Sequence, residues 1–193
     1  MSMGLFGAFA PACGTSECTA TATCNELRDD RDDAGTIHPP VPPPPGCDPA
    51  VDAKDAPACA VDEYALFVDG ADGSNGSTGG RGAPLRTLSA ATDVDKLRGR
   101  PRIYVCGPGP YTDSVSLPPN VSLFGGFECK TWRYVGTKAK ISVPPGVIAV
   151  RVQDSGNTTL ADLEVSSANA TEPGGSSVAV LAVASQLTAR RLT

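Results

Sequence analysis

Aromatic residues make up only 5% of the 193 residues, and there is a single histidine, His38. So few aromatics argue against a bulky helical core and for a thin aliphatic one built of Val, Leu and Ile. His38 stands directly before a proline tract, where a solvated chain supplies no fixed partners, so histidine-dependent triads and histidine metal sites find no support. No Cys-x-x-Cys and no Cys/His ligand spacing occurs, which removes the usual zinc arrangements. The 16 Lys and Arg are scattered, and the formal charge is −5. Phosphate binding needs a clustered basic face, so nucleic acid is excluded as a partner. Acidic substrates are not excluded, because Lys138, Lys140, Arg151, Arg190 and Arg191 all fall in the second half.

What the chain does have is 21 Gly, 18 Pro and 7 Cys. Abundant Gly and Pro imply many turns between short elements. Cysteines without ligand spacing imply disulfides in an oxidising compartment. Six fall into local pairs, Cys18 with Cys24, Cys47 with Cys59 and Cys106 with Cys129, leaving Cys13 over.

The start, residues 1–12, is small and apolar and ends in Ala10-Pro11-Ala12 before Cys13-Gly14. It resembles the end of a bacterial lipoprotein signal peptide, in which the cysteine after small residues is lipidated. That resemblance implies lipidation of Cys13 and an extracellular or cell-surface location, with membrane contact only through the lipid anchor. The pattern departs from the family in having no Lys or Arg before Arg28; a start site upstream of Met1 accounts for the gap, and an unprocessed N-terminus is the alternative. Residues 13–60 read as a disordered Cys/Pro-rich linker: a charged run from Arg28 to Asp33 precedes Pro39-Pro40-Val41-Pro42-Pro43-Pro44-Pro45, which favours extended polyproline II.

Residues 61–193 read as the folded domain. Tyr64 to Val68 is a first strand, and Ile103 to Val105, Ser114 to Leu117 and Val121 to Phe124 are three more, bounded by Gly, Pro, Asn and Asp. Between the first and second lies Asp69-Gly70-Ala71-Asp72-Gly73-Ser74-Asn75, dense in oxygen donors. Asp69, Asp72 and Asn75 are weak calcium candidates, because their spacing is not that of an EF-hand; a turn-rich loop is the competing reading, and no other cofactor is expected. Leu88, Ala91, Val94 or Asp95, and Leu97 fall near helical spacing, with Thr87 as cap and Gly99 as stop, so one short amphipathic helix is expected.

The order Asp69-Gly70-Ala71-Asp72-Gly73-Ser74, Ala83-Pro84-Leu85-Arg86-Thr87-Leu88, Arg102-Ile103-Tyr104-Val105, Gly109-Pro110-Tyr111 and Val121-Ser122-Leu123-Phe124-Gly125-Gly126-Phe127 resembles the N-terminal region of secreted pectin-lyase-like right-handed parallel β-helix proteins. The resemblance covers residues 61–193 and implies an all-β solenoid whose open end is plugged by the short helix. It transfers no catalytic residue, since no catalytic motif of that family matches any position here.

A hand alignment of repeats agrees. Thr158-Thr159-Leu160-Ala161-Asp162-Leu163 recurs as Leu187-Thr188-Ala189-Arg190-Arg191-Leu192, so Leu160 lies over Ala189 and Leu163 over Leu192. Corners fall at Asp162 and Arg191, which form an exposed ion pair. The preceding sides are Ala149 to Val152 and Val178 to Val183; the second is apolar throughout, so its inward parity stays open. The chain stops at Thr193 inside a repeat, so it is expected to be the N-terminal portion of a longer protein. Laying Ile103 to Val105 against Gly125 to Phe127 brings Cys106 and Cys129 to one corner on neighbouring strands, within disulfide reach, with Cys106 facing solvent.

Function reads only to class. A non-catalytic surface module binding polysaccharide, a cell-surface component or nothing specific is one reading. The N-terminal part of a polysaccharide lyase or glycoside hydrolase is the other. Asp154, Asp162 and Glu164 with Arg151 are the only crowded charges on expected strands or corners, and solvated strand charges are the ordinary case. The sequon Asn157-Thr158-Thr159 matters only in a eukaryotic secretory host.

Overall fold

Along each short strand the aliphatic side chains alternate with a second set, and this period of two divides every strand between two environments. The computed structural model describes residues 38–193, which fall within one unit, Ile37–Thr193. Its elements run β1 (Ala65–Val68), α1 (Leu88–Ala91), α2 (Val94–Leu97), β2 (Arg102–Cys106), β3 (Val115–Leu117), β4 (Ser122–Phe127), β5 (Ala139–Val143), β6 (Val150–Gln153), β7 (Thr158–Ala161), β8 (Leu163–Ser167), β9 (Val180–Val183) and β10 (Leu187–Arg190). These strands pair in parallel. They form a five-stranded sheet in the order β1-β2-β4-β7-β10, a three-stranded sheet β3-β6-β9 and a two-stranded sheet β5-β8. The protein is mostly parallel sheet with little helix, an all-β chain.

From β4 onward the strands enter the five-, two- and three-stranded sheets in that repeating order, ending back in the first at β10. The turns repeat as well. Asp154 after β6 and Ala184 after β9 have φ of 50° and 49°; Asp162 after β7 and Arg191 after β10 have φ of 56° and 53°. Left-handed backbone at non-glycine residues is uncommon, and here it recurs at matching positions after β6 and β9 and after β7 and β10.

All three sheets contribute to one aliphatic core. Leu66, Ile103, Leu123 and Leu160 come from the first, Val150 and Val152 from the second, and Ile141 and Leu163 from the third, all fully buried. Burial of each such side chain stabilises by about 2 kcal/mol. Register settles the parity of β9: Val150 and Val152 pair with Val180 and Ala182, so those two share the inward face.

Four expectations are corrected. The single helix is two, because the chain breaks at Thr92 and Asp93. Asp93 is extended and its carboxylate accepts from the Asp95 amide, starting a new helix, as Thr87 caps the first through the Ala90 amide. Val94 is 49% exposed and lies off the buried face, which Leu88, Ala91 and Leu97 supply. The linker expected to run to Ala60 is packed over its second half. Val41 donates its amide to the Gly99 carbonyl, two 3-10 turns form at Ala53–Asp55 and Pro57–Cys59, and Cys47, Ala53, Ala56, Cys59 and Ala60 are buried. Proline content blocks sheet pairing but not packing, and small side chains let the segment lie close.

The third correction is register. Ile103 pairs with Leu123, not Gly125, and Tyr104 with Phe124; the ladder then slips so that Cys106 faces Phe127. Gly125 and Gly126 make the extra residue possible, Gly126 at φ 90°. Fourth, Cys106 is 1% exposed and not solvent-facing. It lies on the face with Tyr104, Phe124 and Phe127.

Candidate functional site

The face of the five-stranded sheet turned away from the aliphatic core is built by the alternate residues of its strands. Phe67, Tyr104 and Phe124 pair in succession across β1, β2 and β4, and Ala161 and Arg190 continue the row. Phe67 and Tyr104 stack at 5.5 Å, Tyr104 meets Phe127 edge-on at 4.8 Å, and Trp132 meets Phe67 at 4.7 Å. Each such contact adds about 1 kcal/mol beyond burial. Sequence reading assigned the core to aliphatics and missed this second, aromatic cluster, although the alternation of Phe67 and Tyr104 with inward Val and Leu was visible.

A polar row lies beside it. Arg102 pairs with Ser122, the Thr159 amide donates to the Ser122 hydroxyl at 3.0 Å, and Thr159 pairs with Thr188. One guanidinium and three hydroxyls thus stand on successive strands at the spacing of a parallel ladder, about 4.8 Å. These four residues form the floor of a groove of about 310 Å³. Tyr64 and Phe124 also border it, with Pro49 and Ala50 on one wall and Asn120 and Asn157 on the other.

Arg102 is the unusual member, at 4% exposure. Its guanidinium carbon lies 5.1 Å from the Phe124 ring and 5.8 Å from the Tyr64 ring. Nη1 donates to the Tyr104 hydroxyl at 3.2 Å and Nη2 to the Pro49 carbonyl at 3.0 Å. No carboxylate pairs with it among the described residues. Ring faces and two hydrogen bonds offset part of the desolvation of a buried cation. Burial raises the Tyr104 phenol above its ordinary pKa, against the opposing pull of Arg102, so the phenol is a neutral acceptor toward the guanidinium.

The Pro49 wall is held in two ways. The Cys47–Cys59 disulfide, with Cα atoms 4.7 Å apart, closes its loop. Asp52 in that loop is gripped by Arg191 at 2.8 Å and by Arg190 at 3.3 Å. Hydrogen bonds from Arg191, partly opposed by burial, lower the Asp52 carboxyl to about 2. Arg191 also holds Asp162 at 2.6 Å, and the Tyr134 hydroxyl donates to the same carboxylate. The Asp162–Arg191 pair expected at the solvent is therefore part of a partly buried five-residue network, with Asp162 3% exposed. The opposite wall is ordered by Asn120, whose carbonyl oxygen accepts from the Asn157 amide at 3.1 Å.

The other candidate residues do not assemble into one site. Asp69 Oδ1 accepts from the Ala71 and Asp72 amides. Asn75 Oδ1 accepts from the Arg86 and Thr87 amides and the Thr87 hydroxyl. These oxygens shape the loop itself. Glu164 pairs with Lys140 at 2.9 Å, Asp154 accepts from the Gln153 amide group, and Arg151 lies on β6, in a different sheet from Glu164 on β8. Cys106 and Cys129 form a disulfide with Cα atoms 4.8 Å apart. Asp69 lies within 4.8 Å of both sulfurs, but sulfurs in a disulfide carry no thiolate to ligate a metal. Cys13, Cys18 and Cys24 lie outside the described residues. A larger depression of about 530 Å³ is lined by Asp62, Glu63 and Asp95 beside Lys96, Arg98 and Arg100, and so carries charge of both signs.

No family model, curated protein or solved structure matches this chain.

Proposed function

We propose that residues 61–193 belong to a right-handed parallel β-helix of the pectin-lyase-like kind, carried on the surface of a bacterial cell by a lipid on Cys13. In this reading it serves as a non-catalytic binding module for polysaccharide. The coil is supported by the repeating order in which the strands enter the three sheets and by the matched left-handed corners. Right-handedness follows the general rule for parallel crossovers. The sequence pattern ahead of Cys13 supports the anchor.

The observation that carries binding is the groove: hydroxyls of Ser122, Thr159 and Thr188 at ladder spacing beside the Tyr64 and Phe124 rings. Sugars offer hydroxyls to such a row, and a preformed concave site limits the ordering cost. Hydrolysis has less support, because a glycosidase needs two carboxyl groups flanking the bond and no Asp or Glu lines this groove. The test is a glycan array probed with the full chain and with Thr159→Trp, which fills the floor. Retention of one glycan class by the first and its loss in the second is the expected result; no retained glycan removes the reading.

A further inference from the structure

We propose that the groove recognises an oxyanion carried on its glycan, a sulfate ester or a carboxylate, with Arg102 as the recognising cation. This rests on the polysaccharide-binding reading above.

Charge comes first. The chain carries 21 Asp and Glu against 16 Lys and Arg, yet the groove is bordered by Arg102 and Arg190 and by no acidic side chain. A net-negative molecule has here a pocket with only positive side-chain charge. Arg190 is shared with Asp52, which leaves Arg102 as the cation without a carboxylate among the described residues. A buried cation of this kind is stabilised by an incoming anion far more than a solvated one, because the partner restores the charge compensation that burial removed.

Hydrogen-bond inventory points the same way. Arg102 uses two contacts, to Tyr104 and Pro49, of the five N–H groups a guanidinium offers. The Ser122 oxygen accepts from the Thr159 amide, so its own O–H remains to donate. The Asn120 oxygen accepts from the Asn157 amide, which leaves its NH2 as donor. Arg102, Ser122 and Asn120 thus each present a donor, and an acceptor-only group with several oxygens engages all three at once. The cation is also positioned before any ligand arrives: the rings of Tyr64 and Phe124 and the Pro49 carbonyl hold it, so little ordering is left to binding.

The experiment uses one backbone in three forms, dextran sulfate, carboxymethyl dextran and unmodified dextran, titrated into the full chain at about 0.15 M salt, where screening limits diffuse attraction. The charged forms are expected to bind at least about tenfold more tightly than neutral dextran. Which of them does so identifies the anion. Arg102→Gln is expected to abolish that preference. Should that variant fail to fold, Thr188→Asp serves, since Thr188 is exposed and its replacement places a negative charge in the floor without disturbing the interior. Equal binding of all three dextrans, or a preference that survives Thr188→Asp, overturns the proposal. Retention of a neutral glycan on the array with no response to the charged dextrans overturns the anion alone. Silence in both assays removes the binding reading and the anion with it.

Discussion

Arg191 and Asp52, 139 residues apart in the chain, are joined by a two-pronged ion pair, Nη1 to Oδ2 at 2.8 Å and Nη2 to Oδ1 at 2.9 Å. Through it the disulfide-closed segment that walls the groove is fastened to the turn after β10. The same guanidinium reaches Asp162 after β7, so two neighbouring turns and the segment share one cation.

This fastening has a pH signature. The Asp52 carboxyl is held at about 2, below its ordinary 3.8. A carboxylate with a depressed folded-state pKa stabilises the fold above its unfolded value, and that contribution is lost as pH falls between the two values. Asp52→Asn is therefore expected to lower stability by about 1 kcal/mol at pH 6, allowing for solvent screening, and by progressively less as pH falls from the ordinary carboxyl value through about 2. Arg191→Ala also strands the buried Asp162 and should remove about 2 to 3 kcal/mol. Urea unfolding across this pH range checks both; a pH-independent difference for Asp52→Asn contradicts the assignment.

The two disulfides separate structure from linker. Non-reducing peptide mapping is expected to recover Cys47 linked to Cys59 and Cys106 linked to Cys129. Closing loops of 12 and 23 residues should contribute about 3 kcal/mol each in the loop-entropy model. A Cys47→Ser, Cys59→Ser double variant should lose that stability and weaken glycan retention, because Pro49 and its contact to Arg102 lie in the released loop. Unchanged retention means that the wall plays no part in binding.

Gly125 lies within the register slip between β2 and β4, where there is no room for a side chain. A Cβ there runs into the Asp162 carbonyl oxygen and comes within 3.1 Å of the Ala139 amide nitrogen. Both are backbone atoms of adjoining elements and have no rotamer to relieve the contact. Gly125→Ala is expected to destabilise by about 3 kcal/mol, whereas Gly146→Ala, with open space around it, should lose no more than about 1 kcal/mol through its positive φ. Thermal midpoints of the two variants make the comparison.

Local pattern alone determined much of this protein. The short β-rich runs, the Thr87 cap, the adjacency of Leu160 to Ala189 and the pairing of Cys47 with Cys59 and of Cys106 with Cys129 all rest on residues close in sequence or on a side-chain period of two, which needs no knowledge of neighbours. That the β10 repeat lies on the β7 repeat was legible because the same hydrophobic positions recur.

Tertiary structure alone decided the rest. Register between β2 and β4 depends on a glycine bulge, and one or two residues of slip leave the sequence pattern unchanged while moving every side chain. The proline-rich segment reads as solvated because its composition excludes strands. Its burial depends on small residues meeting an aromatic face formed by strands far along the chain. The groove is less local still. Arg102, Ser122, Thr159 and Thr188 come from four strands, and only sheet order makes them a row. A site whose members meet through backbone pairing leaves no motif, because what places them together is the hydrogen-bonded ladder and not their spacing in sequence.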